Sequence, residues 1–86
     1  MEPLNLGIIG TGVAARILHW PALRMLSDRY RIVAAANRTL SKGQAFADMI
    51  GLHHADVYSD YRDLLARDDV DVVDLALPPQ MNAQVA

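Results

Sequence analysis

Apolar residues along this chain fall into short blocks of two different periods, and the alternation between those periods predicts the class of fold. Leu6, Ile8 and Ile9 make a compact run suited to a buried parallel strand, and a glycine turn follows at once. From Val13 and Ala14 through Ile17, Leu18, Trp20, Ala22, Leu23, Met25 and Leu26, the apolar positions cover most of a helical circumference, which predicts a helix buried against a sheet. Pro21 has no N–H to donate, so the helix is expected to break near Trp20 or to restart there with proline in its first turn. Ser27, Asp28, Arg29 and Arg31 close this element, and Ile32, Val33, Ala34, Ala35 and Ala36 read as a second strand.

The helical period returns in Ala45, Phe46, Ala47, Met49 and Ile50. Ser41 and Gln44 stand ahead of it at capping-box spacing, and Gly51 is placed to cap its end, so a helix of about a dozen residues is expected. Val57 and Tyr58 predict a short third strand, after which Ser59 or Asp60 caps a brief helix carrying Tyr61, Leu64, Leu65 and Ala66. Beyond the polar turn of Arg67, Asp68 and Asp69, the residues Val70, Val72, Val73, Leu75, Ala76 and Leu77 read as a fourth buried strand that Pro78 and Pro79 stop. Residues 82–86 look like the first turn of a helix without a stop signal, so the chain reads as a shortened domain or gene fragment. The expected fold is α/β: a partial doubly wound Rossmann domain with a parallel sheet of about four strands in the order 3-2-1-4 and flanking helices, because right-handed crossovers place successive strands that way.

Composition adds exclusions. Just over half of the residues are apolar (52%) and a fifth charged (21%), the balance of a soluble globular domain. Its apolar runs are far below the ~20 residues of a bilayer span, so no membrane partner is expected. With no cysteine, neither a disulfide framework nor a thiolate site can form, and a cytoplasmic location is the default expectation. The net charge of -2 argues against a nucleic-acid partner, since binding a phosphate backbone needs a basic face. His53 and His54 are adjacent and diverge, while His19 sits on another element, so no metal site is expected. The carboxylates lie mostly where turns and caps want them, and Ser27, Ser41 and Ser59 lack a nucleophile-elbow setting, which leaves glycosidase and acyl-transfer chemistry unsupported.

The candidate chemistry is at the first turn, where Gly10, Thr11, Gly12, Val13, Ala14 and Ala15 fit G-x-G-x-x-A directly after a strand. Gly10 permits a tight strand-to-helix turn, Gly12 lets the backbone approach a pyrophosphate, and Ala15 allows close packing of helix on strand. Unpaired N–H groups at the start of the following helix make an anion site there. Roughly 20 residues further on, a dinucleotide fold meets the adenosine ribose, usually with Asp or Glu in an NAD site. This chain offers Asn37, Arg38, Thr39, Ser41 and Lys42, all hydrogen-bond donors, a set that suits a 2′-phosphate and predicts NADP as cofactor with NAD as the second choice. The competing structural account is a solvated helix start with caps and stray basic residues.

The segments G-I-I-G-T-G-V-A-A, V-Y-S-D-Y-R-D-L-L, D-V-D-V-V-D and L-P-P-Q-M-N together resemble the glucose-fructose oxidoreductase and inositol dehydrogenase family (Gfo/Idh/MocA). That resemblance covers essentially the whole chain. It implies NAD(P)-dependent hydride transfer at an alcohol or carbonyl carbon of sugars, polyols or related compounds, by a Rossmann domain followed by an α+β substrate domain. By the same resemblance Gly10, Thr11, Gly12, Val13 and Ala14 would wrap the pyrophosphate, Asn37 and Arg38 would meet the ribose, Leu77 and Pro78 would line the cofactor cleft, and Asn82 would lie near the nicotinamide. Leu77 stands where the family often has Thr, and Asn82 where it often has His. The family's Glu-Lys-Pro motif would follow Ala86, so no catalytic residue is named and residues 1–86 are expected to form an incomplete dinucleotide-binding domain, inactive alone and lacking the substrate domain. A small-molecule substrate is then a partner of a longer chain only, and oligomerisation stays open. The alternative is a non-catalytic NADP(H)-sensing module, while a methyltransferase fold binding S-adenosylmethionine is disfavoured because Asn37 and Arg38 replace the acidic residue that would grip its ribose.

Overall fold

A single parallel sheet organises the computed structural model, which describes residues 2–12 and 15–76, with backbone alone at residues 16 and 17. Strands β1 (Leu4–Ile9), β2 (Tyr30–Ala36), β3 (Val57–Tyr58) and β4 (Val72–Leu75) lie in the order β3-β2-β1-β4, all parallel, as the strand and helix periods predict. Between them run a π-helical turn (Ala15–His19) leading into α1 (Trp20–Met25), then α2 (Leu40–Ile50), and α3 (Tyr61–Leu65) after β3.

Alternate side chains of a strand point to opposite faces, and here each face has its own core. Leu6, Ile8 and Ala35 pack on one face with Ala15 and Phe46, and with Trp20 and Leu23 of α1. On the other face Ile9, Ala34 and Ala36 pack with Leu64 and Tyr61 of α3. Helices on both faces of a parallel sheet are the doubly wound arrangement. Gly7 lets α3 come close: a Cβ there would stand 2.7 Å from Leu64 Cδ2, and the pairing with β2 shifts register at this same point, between Leu6 and Gly7.

Local signals hold at several ends. Pro21 sits in the first turn of α1, as expected of a restart, where its missing N–H costs nothing; the helical path is not broken there but passes from the π-helical turn into α-helix at Trp20. Gly51 closes α2 in the left-handed region at φ 78°. Asp60 caps α3, its Oδ1 accepting from the Arg62 N–H at 2.9 Å.

Three expectations are corrected. The apolar first helix is not buried all round: Leu18 is 67% and Met25 85% exposed, and α1 contains no buried residue. A helix lying on one sheet face can bury only the side that meets it, so Trp20 and Leu23 turn inward and their neighbours do not. The capping box of Ser41 and Gln44 is not used, because α2 starts earlier, with Thr39 as the N-cap. The Thr39 carbonyl accepts from the N–H groups of Lys42 and Gly43 at 3.1 and 3.2 Å, which moves the start ahead of Ser41. Finally, Val70 precedes β4 rather than opening it, packing against the α3-side core.

Candidate dinucleotide site

The carboxyl ends of β1, β2 and β4 converge on the glycine turn. Gly10 adopts φ 92°, a conformation that an L side chain resists, and its N–H donates to the Ala36 carbonyl at 2.8 Å, extending the β1–β2 ladder into the turn. On the other side the Ala76 N–H donates to the Ile9 carbonyl at 2.8 Å. Thr11 is buried, 1% exposed, and its Oγ1 has no hydrogen-bond partner among the described residues. Gly12 is exposed, and a Cβ built on it meets nothing within 4 Å. Open space over a main chain without a Cβ is what close approach by a diphosphate requires. Ala15 is fully buried in the core between the turn's helix and β1.

Beside the turn, the end of β2 supplies the second half of the site. The Asn37 N–H donates to the Tyr58 carbonyl at 2.9 Å, joining β2 to β3. Its side chain points back to the protein: Oδ1 accepts from the Thr11 N–H at 3.2 Å and Nδ2 donates to the Thr39 carbonyl at 2.8 Å. Arg38, Thr39, Ser41 and Lys42 are all exposed, and among the described residues neither Arg38 nor Lys42 is paired with a carboxylate. The structure therefore brings Gly10, Thr11, Gly12, Ala15 and Asn37 together and sets Arg38 on the adjoining loop and Lys42 in the first turn of α2, neither paired among the described residues. Val13, Ala14, Leu77, Pro78 and Asn82 lie outside the described residues.

Two arrangements escape sequence reasoning. The inward turn of the Asn37 amide follows from loop geometry that no local pattern encodes. His19 Nδ1 and Asp74 Oδ2 lie 2.7 Å apart, tying the helical turn after the glycines to β4 across 55 positions of sequence. That half-buried pair borders a groove of about 410 Å³ floored by Leu6, Leu23 and Val72. The signal for it was weak: Asp74 interrupts an apolar strand, which marks a carboxylate held near the sheet but names no partner.

Comparison with known proteins agrees with this geometry. The family model for Gfo/Idh/MocA proteins, described as an oxidoreductase family with an NAD-binding Rossmann fold, matches residues 4–86. An uncharacterized protein of Saccharomyces cerevisiae is 38% identical over 85 residues, 99% of this chain and 24% of that protein. The crystal structure of an oxidoreductase from Thermotoga maritima superposes with a TM-score of 0.87 at 44% identity, over 95% of this chain and 25% of that one. A 3-ketoreductase of Actinomadura kijaniata, KijD10, solved with NADP and TDP-benzene, superposes with a TM-score of 0.85 at 30% identity, over 96% of this chain and 24% of that one. The chain thus spans about a quarter of the length of the relatives it matches.

Proposed function

The chain belongs to the Gfo/Idh/MocA oxidoreductase family, with its NAD-binding Rossmann fold, and from that membership we propose that it is the cofactor-binding part of an oxidoreductase that prefers NADP and acts on a sugar, polyol or related alcohol or carbonyl compound. The observation that carries the cofactor reading is the open turn at Gly12 beside two cations, Arg38 after β2 and Lys42 in the first turn of α2, that are unpaired among the described residues. The residues present fit a dinucleotide. Gly10 and Gly12 shape a backbone surface for the pyrophosphate, and Arg38, Thr39, Ser41 and Lys42 offer donors to the adenosine side. Val13, Ala14, Leu77, Pro78 and Asn82 complete the proposed cofactor contacts. When bound, the nicotinamide supplies or accepts the hydride; the described residues bind and orient, and none is placed to move a proton at a substrate, so residues 1–86 alone are expected to bind without turnover. That NADP occupies KijD10, a 30% identical neighbour, supports the choice of cofactor class, and its TDP-benzene supports a nucleotide-linked substrate for the longer protein.

Cofactor preference is the test. An exposed charge-assisted hydrogen bond sits at the low end of its range, so Arg38 is expected to give NADP about a tenfold advantage over NAD. Calorimetric titration with both dinucleotides should show that ratio, and Arg38→Ala should remove most of it. Equal dissociation constants in the unsubstituted protein reject the NADP preference.

A further inference from the structure

The Asn37 side chain is oriented by two bonds to the protein. Its carboxamide is held at both ends, Oδ1 taking the Thr11 N–H and Nδ2 donating to the Thr39 carbonyl, which fixes the plane of the amide and leaves one lone pair and one N–H over. Thr11 is the middle residue of the glycine turn, and the Thr39 carbonyl is the one on which α2 starts, where it also accepts from Lys42 and Gly43. One planar group therefore stitches the pyrophosphate turn to the loop that carries Arg38 and leads into α2, where Lys42 stands in the first turn. We propose that Asn37 is a positioning residue: it braces the two halves of the dinucleotide site against each other instead of reading the ribose, and cofactor selectivity falls to Arg38, Thr39, Ser41 and Lys42. The inference rests on the cofactor reading given above.

Chemistry limits what can replace it. Aspartate keeps an acceptor for the Thr11 N–H but cannot donate to the Thr39 carbonyl, and it sets a negative oxygen near that carbonyl. Alanine loses both bonds. Because the pyrophosphate turn serves NAD and NADP alike, loss of the brace should weaken both cofactors by one common factor, whereas loss of a ribose contact should change their ratio. An acidic residue introduced at position 37 is thus not a simple cofactor switch in this chain, since it also gives up the bond to the Thr39 carbonyl.

The experiment has a ligand-free arm and a ligand arm, both on the full chain. Without cofactor, amide exchange is followed at Thr11 and, as an internal reference, at Gly10, whose N–H goes to the Ala36 carbonyl instead. Asn37→Ala is expected to speed exchange at Thr11 about tenfold while leaving Gly10 unchanged, and Asn37→Asp to restore most of the Thr11 protection. With NADP and then NAD titrated separately, Asn37→Ala should weaken both about tenfold and keep their ratio within twofold. Unchanged Thr11 exchange in Asn37→Ala overturns the proposal, as does a ratio that moves several-fold. Exchange at Thr11 and Gly10 rising together also overturns it, because that is the signature of global loosening. If the unsubstituted chain binds neither dinucleotide while Thr11 still depends on residue 37, the cofactor reading fails and the brace itself stands.

Discussion

Two glycines on the same stretch of chain, Gly7 within β1 and Gly12 in the turn beyond it, do opposite things. At Gly7 a Cβ would meet Leu64 Cδ2 at 2.7 Å and two further Leu64 carbons at 3.3 Å; at Gly12 it would meet nothing within 4 Å. The space at the first glycine is filled from α3 by a fully buried leucine, while the second leaves an exposed main chain. A missing side chain serves packing in one place and access in the other. What separates them is whether the protein itself occupies the space.

The filled end gives the largest expected effects. Leu64→Ala removes a side chain with no exposed surface and should cost about 3 kcal/mol in unfolding free energy, inside the usual span for a buried leucine. Gly7→Ala should cost about 2 kcal/mol by overpacking against that same side chain. The pair should not be additive, because alanine at position 64 vacates the space that the new Cβ needs. Urea unfolding of the two single variants and the double variant measures the coupling. Simple additivity would mean that Leu64 does not explain Gly7.

At the open end the expectation inverts. Gly12→Ala should change stability by less than about 0.5 kcal/mol, since its Cβ meets no atom within 4 Å among the described residues. Dinucleotide affinity should fall at least about tenfold, for NAD and NADP equally, because the methyl group intrudes where the pyrophosphate approaches the main chain. Full affinity in a stable Gly12→Ala protein would break the contrast between the two glycines.

How far this contrast can be read in advance depends on the range of the interaction. The strands around Ile8, Ala35, Val57 and Val73 were legible because burial on a parallel sheet writes contiguous apolar runs, and Pro21 and Gly51 were legible because backbone chemistry restricts them locally. The G-x-G-x-x-A spacing likewise placed the turn, whose Gly10 takes the positive φ that the spacing implies. The exposure of Leu18 and Met25 was not legible, since an apolar face shows only that a surface can be covered. Nor were the Asn37 bonds to Thr11 and Thr39 or the pairing of His19 with Asp74, because these depend on how the loop at the end of β2 and the helical turn are aimed once the sheet has formed. The G-x-G-x-x-A spacing marked Gly12 for access, but nothing local marked Gly7 for packing against Leu64.

Arginines repeat the contrast with the smallest expected effect. Arg38 is exposed and unpaired among the described residues, whereas Arg67 is consumed by the fold: Nε and Nη2 meet the two carboxylate oxygens of Asp69 at 2.8 and 2.7 Å, and Nη1 donates to Asp56 at 2.8 Å. The fork holds the end of α3 to the approach to β3. The Asp69 hydrogen bond is the main cause that raises the Arg67 pKa, and the same bond is the main cause that holds the Asp69 carboxyl below its ordinary value. The sign follows: a carboxyl with a depressed pKa in the folded state adds stability above its unfolded pKa of about 4, and that stability is lost as pH falls through the lower folded value. Because Asp69 is exposed, solvent screens the pair and its contribution is modest. Thermal unfolding between about pH 5 and pH 3 should therefore drop more steeply in the unsubstituted protein than in Asp69→Asn, which has no charge to lose. Arg38→Ala should leave that acid limb unchanged, since no carboxylate among the described residues pairs with it. Identical acid limbs for the unsubstituted protein and Asp69→Asn would show that the fork around Arg67 contributes geometry without a titratable share of stability.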